Sequence, residues 1–371
     1  MKKFLKSAAL IAVLAFVACE QAELGPAGEF LPGIANLNTV KGITAPPTTW
    51  TQFTPLPFPS SSGVTVDMVR GLATDGTFLV ATGSDGTYPY ATRYDTVSGV
   101  WTTPFIIPGF TVNPGAAHFL NAYFLITGGT TSSYGAYSKD GLSWAQTGLI
   151  GFGTKAGVYG PAEQLYVVAG QNGQAAYTYD PGQPFTTIPQ IYTGWSGTGS
   201  TAYINAGAYG NGVYVFGGGS GRLAWTATIL SGGQPVSWTT ASTNPLGSTD
   251  FVNAIAYGNE TFVAAGNTAN DTGIIVYSPD NGVTWNTANI RSLAIGQNAG
   301  IFALTFGNGY FVASDNDDNF AYSNDGATWT GITSTVFKNP SRINVAVCYD
   351  AVNAFLVAGQ DASGLQAAIS K

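Results

Sequence analysis

Side chains able to do chemistry are sparse in this chain. His118 is the single histidine. No serine or cysteine nucleophile can be assigned to it, so a satisfied interior histidine is the expected role. One histidine and two cysteines cannot build a histidine–cysteine metal centre. The run Asp315-Asn316-Asp317-Asp318-Asn319 offers oxygen ligands but lacks the D-x-D-x-D-G spacing of a calcium loop. It reads as a solvated hairpin turn, and no metal or cofactor is expected. A glycoside hydrolase or lyase would need two carboxylates facing each other about 5 to 10 Å apart. Asp85, Asp250, Asp271, Asp317 and Asp361 are the candidates for such a pair. The alternative to catalysis is a polar constellation. Arg70, Gly115, Lys155, Asn205, Asn253, Phe302 and Asn344 fall at equivalent places in a repeated unit. Converging donors of this kind suit a small polar or anionic ligand.

The repeat positions these residues. Residues 253–286 read as four short strands with turn signals at Gly258-Asn259, Gly266 and Pro279-Asp280-Asn281-Gly282. Related stretches begin at Val69, Ala116, Lys155, Asn205 and Phe302. They close on Trp101, Trp144, Phe185, Trp238, Trp285 and Trp329. A period of roughly 40 to 50 residues with four strands per unit is the signature of β-propeller blades. A further unit starts at Ile343 but stops after its third strand. Thr48-Thr49-Trp50-Thr51-Gln52-Phe53 can supply the missing strand and close the ring, which hides both open edges. The expected fold is therefore all-β: a seven-bladed propeller of four-stranded antiparallel blades over residues 48–371, closed by an N-terminal strand. The average is about 46 residues per blade.

Expected blade spans are 66–103, 116–147, 155–188, 205–241, 253–288 and 302–331, with 343–371 plus 48–53 as the seventh. First strands line a propeller's central channel, so the polar constellation sits at a channel mouth. The second-to-third-strand loops and blade connectors share that face. They add Tyr88, Tyr134, Arg222, Tyr192 and Trp195 as aromatic and basic contacts for a sugar or a protein.

The turn before the fourth strand repeats its chemistry. Ser278-Pro279-Asp280-Asn281-Gly282-Val283-Thr284-Trp285 resembles the Asp-box, S-x-D-x-G-x-T-W, of sialidase-like (BNR-repeat) propellers. Shorter forms are Ser323-Asn324-Asp325-Gly326-Ala327-Thr328-Trp329 and Ser138-Lys139-Asp140-Gly141-Leu142-Ser143-Trp144. A carboxylate can accept turn amides, glycine takes positive φ, and tryptophan packs between sheets. Asp140, Asp280, Asp325, Trp144, Trp285 and Trp329 are thus expected to be structural. The resemblance implies that this turn faces away from any active site. It does not extend to sialidase chemistry. That chemistry needs three arginines around a carboxylate and a Tyr–Glu pair. The arginines here are Arg70, Arg93, Arg222, Arg291 and Arg342, and the Phe-Arg-Ile-Pro motif is absent. Glu163 and Glu260 fall in first hairpin turns on the opposite face, and Glu20, Glu23 and Glu29 precede the blades.

At the front, Lys2, Lys3 and Lys6 precede the apolar run AALIAVLAFVA, the pattern of a secretory leader. Phe16-Val17-Ala18-Cys19 resembles the lipobox of bacterial lipoproteins, which implies cleavage after residue 18 and acylation of Cys19. Residues 19–47 then form a tether. Glu20 does not resemble the inner-membrane retention aspartate, which points to the outer membrane. Cys348, in an apolar strand, reads as a small buried residue, so no disulfide is expected.

Net charge is −7, with no basic patch, which argues against nucleic acid. The combined expectation is a monomeric, lipid-anchored envelope protein. It binds a protein or glycan ligand through the mouth face without catalysis. The alternative is the glycoside hydrolase or lyase built on paired aspartates of that face. Fold alone does not choose between them.

Overall fold

The computed structural model describes residues 46–371 except 54–55, 59–68, 85–87, 96, 109, 111–113, 129–132, 189–194, 196–199, 237, 334–335, 338–341, 350–353, 362–363 and 371. For strand 342–349, and for positions 360, 361, 364 and 366, the description covers the backbone only. The leader, Cys19, the tether up to residue 45, Asp85 and Tyr192 lie outside the described residues.

The described residues form seven blades, each an antiparallel sheet; in six of them the strands follow chain order from the axis outward, and in blade 7 the N-terminal strand is added at the outer edge. The inner strands are Val69–Thr74, Ala117–Leu120, Thr154–Gly160, Ile204–Gly210, Phe251–Gly258, Ile301–Gly307 and Arg342–Tyr349. Successive inner strands contact one another, and the first contacts the last, so the ring is closed. Trp50–Gln52 is the outermost strand of blade 7, in the order expected from sequence. Trp50 pairs with Ser370 and Gln52 with Ala368. The Trp50 ring stacks on Phe320 of blade 6 at 4.8 Å.

Why blades and not barrels or sandwiches? Second strands such as Leu165–Gly170, Val213–Gly218 and Thr261–Asn267 are buried along their whole length. A strand buried on both faces needs a sheet on each side, which a ring of blades provides. The core accordingly divides into seven apolar layers, one in each gap between neighbouring blades. Each closing aromatic fills the gap towards the preceding blade: Trp238 packs with blade 3, Trp285 with blade 4 and Trp329 with blade 5.

The recurring aromatic-Gly-Asn run has a packing cause. A Cβ on Gly210 would sit 2.1 Å from the Tyr257 ring, and one on Gly258 would sit 2.2 Å from the Phe306 ring. Only glycine lets the next blade's aromatic approach this closely. The following Asn211, Asn259 and Asn308 take positive φ of 48°, 45° and 49°, a conformation asparagine tolerates.

Two elements depart from the expected four strands per blade. Phe105–Ile106 adds a fifth strand to blade 1 by pairing with the third, Pro89–Asp95. The blade therefore extends past residue 103. In blade 4 a small hairpin, Leu230–Ser231 with Gln234–Pro235, separates the third strand from the fourth. Its Gly232-Gly233 turn has positive φ at both glycines.

Candidate functional site

The two faces of the ring have different chemistry. One carries the first hairpin turns and the turns between third and fourth strands. It is held by short polar contacts. Asp280 accepts Thr284 N at 2.8 Å and Thr284 Oγ1 at 2.6 Å. Ser278 Oγ donates to the same carboxylate, accepts Gly282 N, and Trp285 Nε1 caps Gly282 O at 3.1 Å. Asp325 accepts Ala327 N and Thr328 N, and Asp140 accepts Leu142 N and Ser143 N. Partial burial pushes these three carboxyls up, but the turn donors outweigh it and hold them below the usual range.

The same face latches blade to blade. Asn211 Nδ2 donates to Asn281 Oδ1 across blades 4 and 5, and Asn259 Nδ2 donates to Asn324 O across blades 5 and 6. Blade 4 has no acidic residue in its third-to-fourth-strand connection. Glu163 of blade 3 takes that place: it accepts Thr228 Oγ1 at 2.6 Å, Ile229 N at 2.9 Å and Leu230 N at 3.0 Å. Burial and the adjoining Glu163 charge raise the Tyr214 hydroxyl far above its ordinary value. Nothing near Glu163 in the sequence signals this role, because the partners are more than a blade away.

The opposite face holds the polar constellation. In six blades the pairing of first and second strands skips one residue, a β-bulge. The skipped residues are Arg70, Lys155, Asn205, Asn253, Phe302 and Asn344. The aligned residues thus share one level because they share one backbone irregularity. Blade 2 corrects the alignment by one place. Thr127 O accepts Gly115 N while Thr127 N donates to Ala116 O, so Ala116 rather than Gly115 holds the bulge position.

Three of these side chains, Lys155, Asn205 and Asn253, link neighbouring blades. Lys155 Nζ donates to Asn205 Oδ1 at 3.0 Å, and Asn205 Nδ2 donates to Val252 O at 3.0 Å. Asn253 Nδ2 repeats the latter bond on Ile301 O at 3.1 Å and also reaches Asn267 Oδ1. The Lys155 ammonium lies 4.8 Å from the Tyr203 ring centroid, a cation–π contact not foreseen from sequence. Burial, and then the charge of Arg70, lower the Lys155 ammonium from its ordinary value. Arg70 and Lys155 belong to blades 1 and 3, and the small Ala116 of blade 2 lies between them. Among the described residues the one ion pair is Arg93–Asp95, so Lys155 has no carboxylate within salt-bridge range.

Other expected contacts are placed differently. Trp195 is 1% exposed, wedged into the layer between blades 3 and 4, and offers no surface ring. A Cβ on Gly173 would meet the Trp195 backbone at 2.6 Å. A tryptophan in a Gly- and Ser-rich connector looks exposed in sequence; here it plugs the gap the connector crosses. Arg222 donates to Thr201 O at 2.8 Å, and Tyr88 is 49% exposed. His118 follows the bulge of blade 2. The residue is partly exposed, but its Nε2 is sealed against Gly157 and has no partner among the described residues. Burial holds the imidazole down at about 4, so it is neutral at physiological pH.

Two of the five aspartates expected to pair accept hydrogen bonds elsewhere; Asp85 and the Asp361 side chain lie outside the described residues. Asp250 accepts Gly247 N, and Asp271 accepts Asn267 Nδ2. Asp315, fully buried, accepts Gly296 N, Asp317 N, Asn319 N and Asn319 Nδ2, so it organises the 315–319 turn.

Geometry of this kind defines an all-β, seven-bladed propeller with a stapled turn face and a polar channel mouth that carries Lys155. No model of a known family matches the chain, and no curated protein matches it.

Proposed function

We propose that the protein is a non-catalytic bacterial envelope lipoprotein, anchored through Cys19 and directed to the outer membrane, whose propeller binds an acidic group of a protein or glycan ligand at the channel mouth. One observation carries the reading. Lys155 is a partly buried ammonium in an acidic protein, held by Asn205 Oδ1 at 3.0 Å and over the Tyr203 ring at 4.8 Å, and burial and then the Arg70 charge lower it from its ordinary value. Like charges held together disfavour their own ionisation, and a carboxylate between them reverses that cost. Asn253 extends the polar level, and Asn344 holds the equivalent backbone bulge position in blade 7. The turns at Asp140, Asp280 and Asp325 support the Asp-box resemblance made in sequence, and with it a ligand face on the opposite side. The test is an array of neutral and carboxylated glycans and of acidic envelope proteins, probed with the parent chain, Arg70→Ala and Lys155→Ala. Retention on carboxylated probes that both variants lose is expected. Equal retention by all three chains would sink the reading.

The paired-acid enzyme is favoured by a single observation: partial burial and the neighbouring Asp315 charge raise the Asp317 carboxyl, as a general acid requires. Hydrolysis or elimination of polysaccharides by the parent chain, lost in Asp317→Asn, would establish it over binding.

A further inference from the structure

Among the described residues, the turn face has an apolar rim on three blades. Val97 is 92% exposed, Val100 57%, Leu142 40% and Tyr179 64%. Val97, Leu142 and Tyr179 sit between the third and fourth strands of blades 1, 2 and 3, and Val100 opens the fourth strand of blade 1. The turns of blades 5 and 6 are tied to the preceding blade through Asn281 and Asn324, and that of blade 2 through Arg93 Nη1 on Asp140 O. Tyr88, Ile106 and Leu149 are also exposed, but at the mouth ends of their strands.

The chain enters the ring beside this rim. Trp50 pairs with Ser370, at the end of the third strand of blade 7, which is the end where the other blades make their third-to-fourth turns. Phe53 packs edge-on against Tyr94 and Trp101 of blade 1, at 4.9 and 6.4 Å. Residues 46–49, just before Trp50, therefore lie at the turn face, the face that also displays Val97 and Val100.

A flexible linker of roughly 30 residues, the span from Cys19 to Trp50, has an r.m.s. length of about 30 Å. Such a linker keeps the ring near its membrane without fixing its orientation. A few exposed apolar side chains bind lipid weakly by themselves, but tethering makes the contact intramolecular. We propose that the rim formed by Val97, Val100, Leu142 and Tyr179 rests on the bilayer holding the chain's own acyl anchor. The polar mouth then points away from the membrane. This inference rests on the lipid-anchor reading above.

Fluorescence quenching by lipid-borne nitroxide tests it. The acylated full chain is placed in phosphatidylcholine vesicles with a thiol-reactive fluorophore at Val97→Cys, Leu142→Cys or Tyr179→Cys. Asn270→Cys, on a mouth-face loop, is the control, and the parent chain gives the background. Loss of emission at the three rim positions and none at Asn270→Cys is expected. An acylated, vesicle-bound chain with unquenched rim labels would overturn the orientation alone. So would rim labels that quench one another between chains but not with lipid. A chain that stays out of the vesicles, with Cys19 unmodified by mass, would overturn the anchor reading and this inference with it.

Discussion

Glu163 accepts a hydrogen bond from the backbone nitrogen of Ile229 at 2.9 Å, one blade further round the ring. The contact does for blade 4 what Asp140, Asp280 and Asp325 do locally for theirs. It satisfies amides that the turn leaves unpaired.

Removing that carboxylate leaves the amides of Ile229 and Leu230 without their acceptor, while the Thr228 hydroxyl keeps Leu230 O. Glu163→Ala should cost about 1 to 3 kcal/mol in stability. A double-mutant cycle with Thr228→Ala should show coupling of roughly 0.5 kcal/mol or more. Urea unfolding of the four chains measures it. Additive losses would mean that the latch contributes nothing as a unit.

His118 sets an acid limit on stability. Its imidazole sits at about 4 in the fold, against 6.5 for the free side chain, because burial disfavours the charged form. Between those values the unfolded chain binds a proton that the folded chain refuses. The stability contribution is whole above pH 6.5 and is lost as pH falls towards 4, by up to about 3 kcal/mol. His118→Leu should flatten the dependence in that window. Urea midpoints at pH 7 and pH 4.5 compare the two chains, and parallel curves would contradict the assignment.

Ring closure depends on Trp50. Trp50→Ala removes the stack on Phe320 and the bond to Pro47 O, and should cost about 3 to 5 kcal/mol. Deleting residues 46–53 should do more, because it exposes the edge of Gly364–Ser370 as a template for aggregation. Thermal melts with light scattering report both effects. A chain without the closing strand that melts at the parent temperature would refute the closure.

The blades were legible in sequence because each is local. Asn253 to Thr287 lies within one unit, its strands are short and apolar, and Gly258, Gly266 and Gly282 punctuate them. The Asp280 turn was legible for the same reason, since its donors lie within four residues. Contacts between units were not. The Glu163 latch spans 66 residues to Ile229, and no spacing rule reaches that far. Trp195 was misplaced because composition reports a connector's polarity, not which of its side chains plugs the gap beneath. The one-residue slip at Gly115 arose because a bulge adds a residue without changing the apolar pattern. Tyr203 was missed beside Lys155 because the pairing of a ring with an ammonium depends on where a strand begins.

Lys155 and Arg70 carry the proposed ligand site. Calorimetric titration of the parent chain with a carboxylated oligosaccharide, its methyl ester and an acidic peptide tests the site most directly. The account predicts binding of at least one carboxylate-bearing probe, weakened by salt and absent from the ester. Arg70→Ala and Lys155→Met should each weaken it about tenfold or more, as expected for a charge-assisted contact. Lys155→Met should leave stability unchanged or raised, since it removes a partly buried like charge. Ester and acid bound equally, or variants that bind as the parent does, would contradict the account.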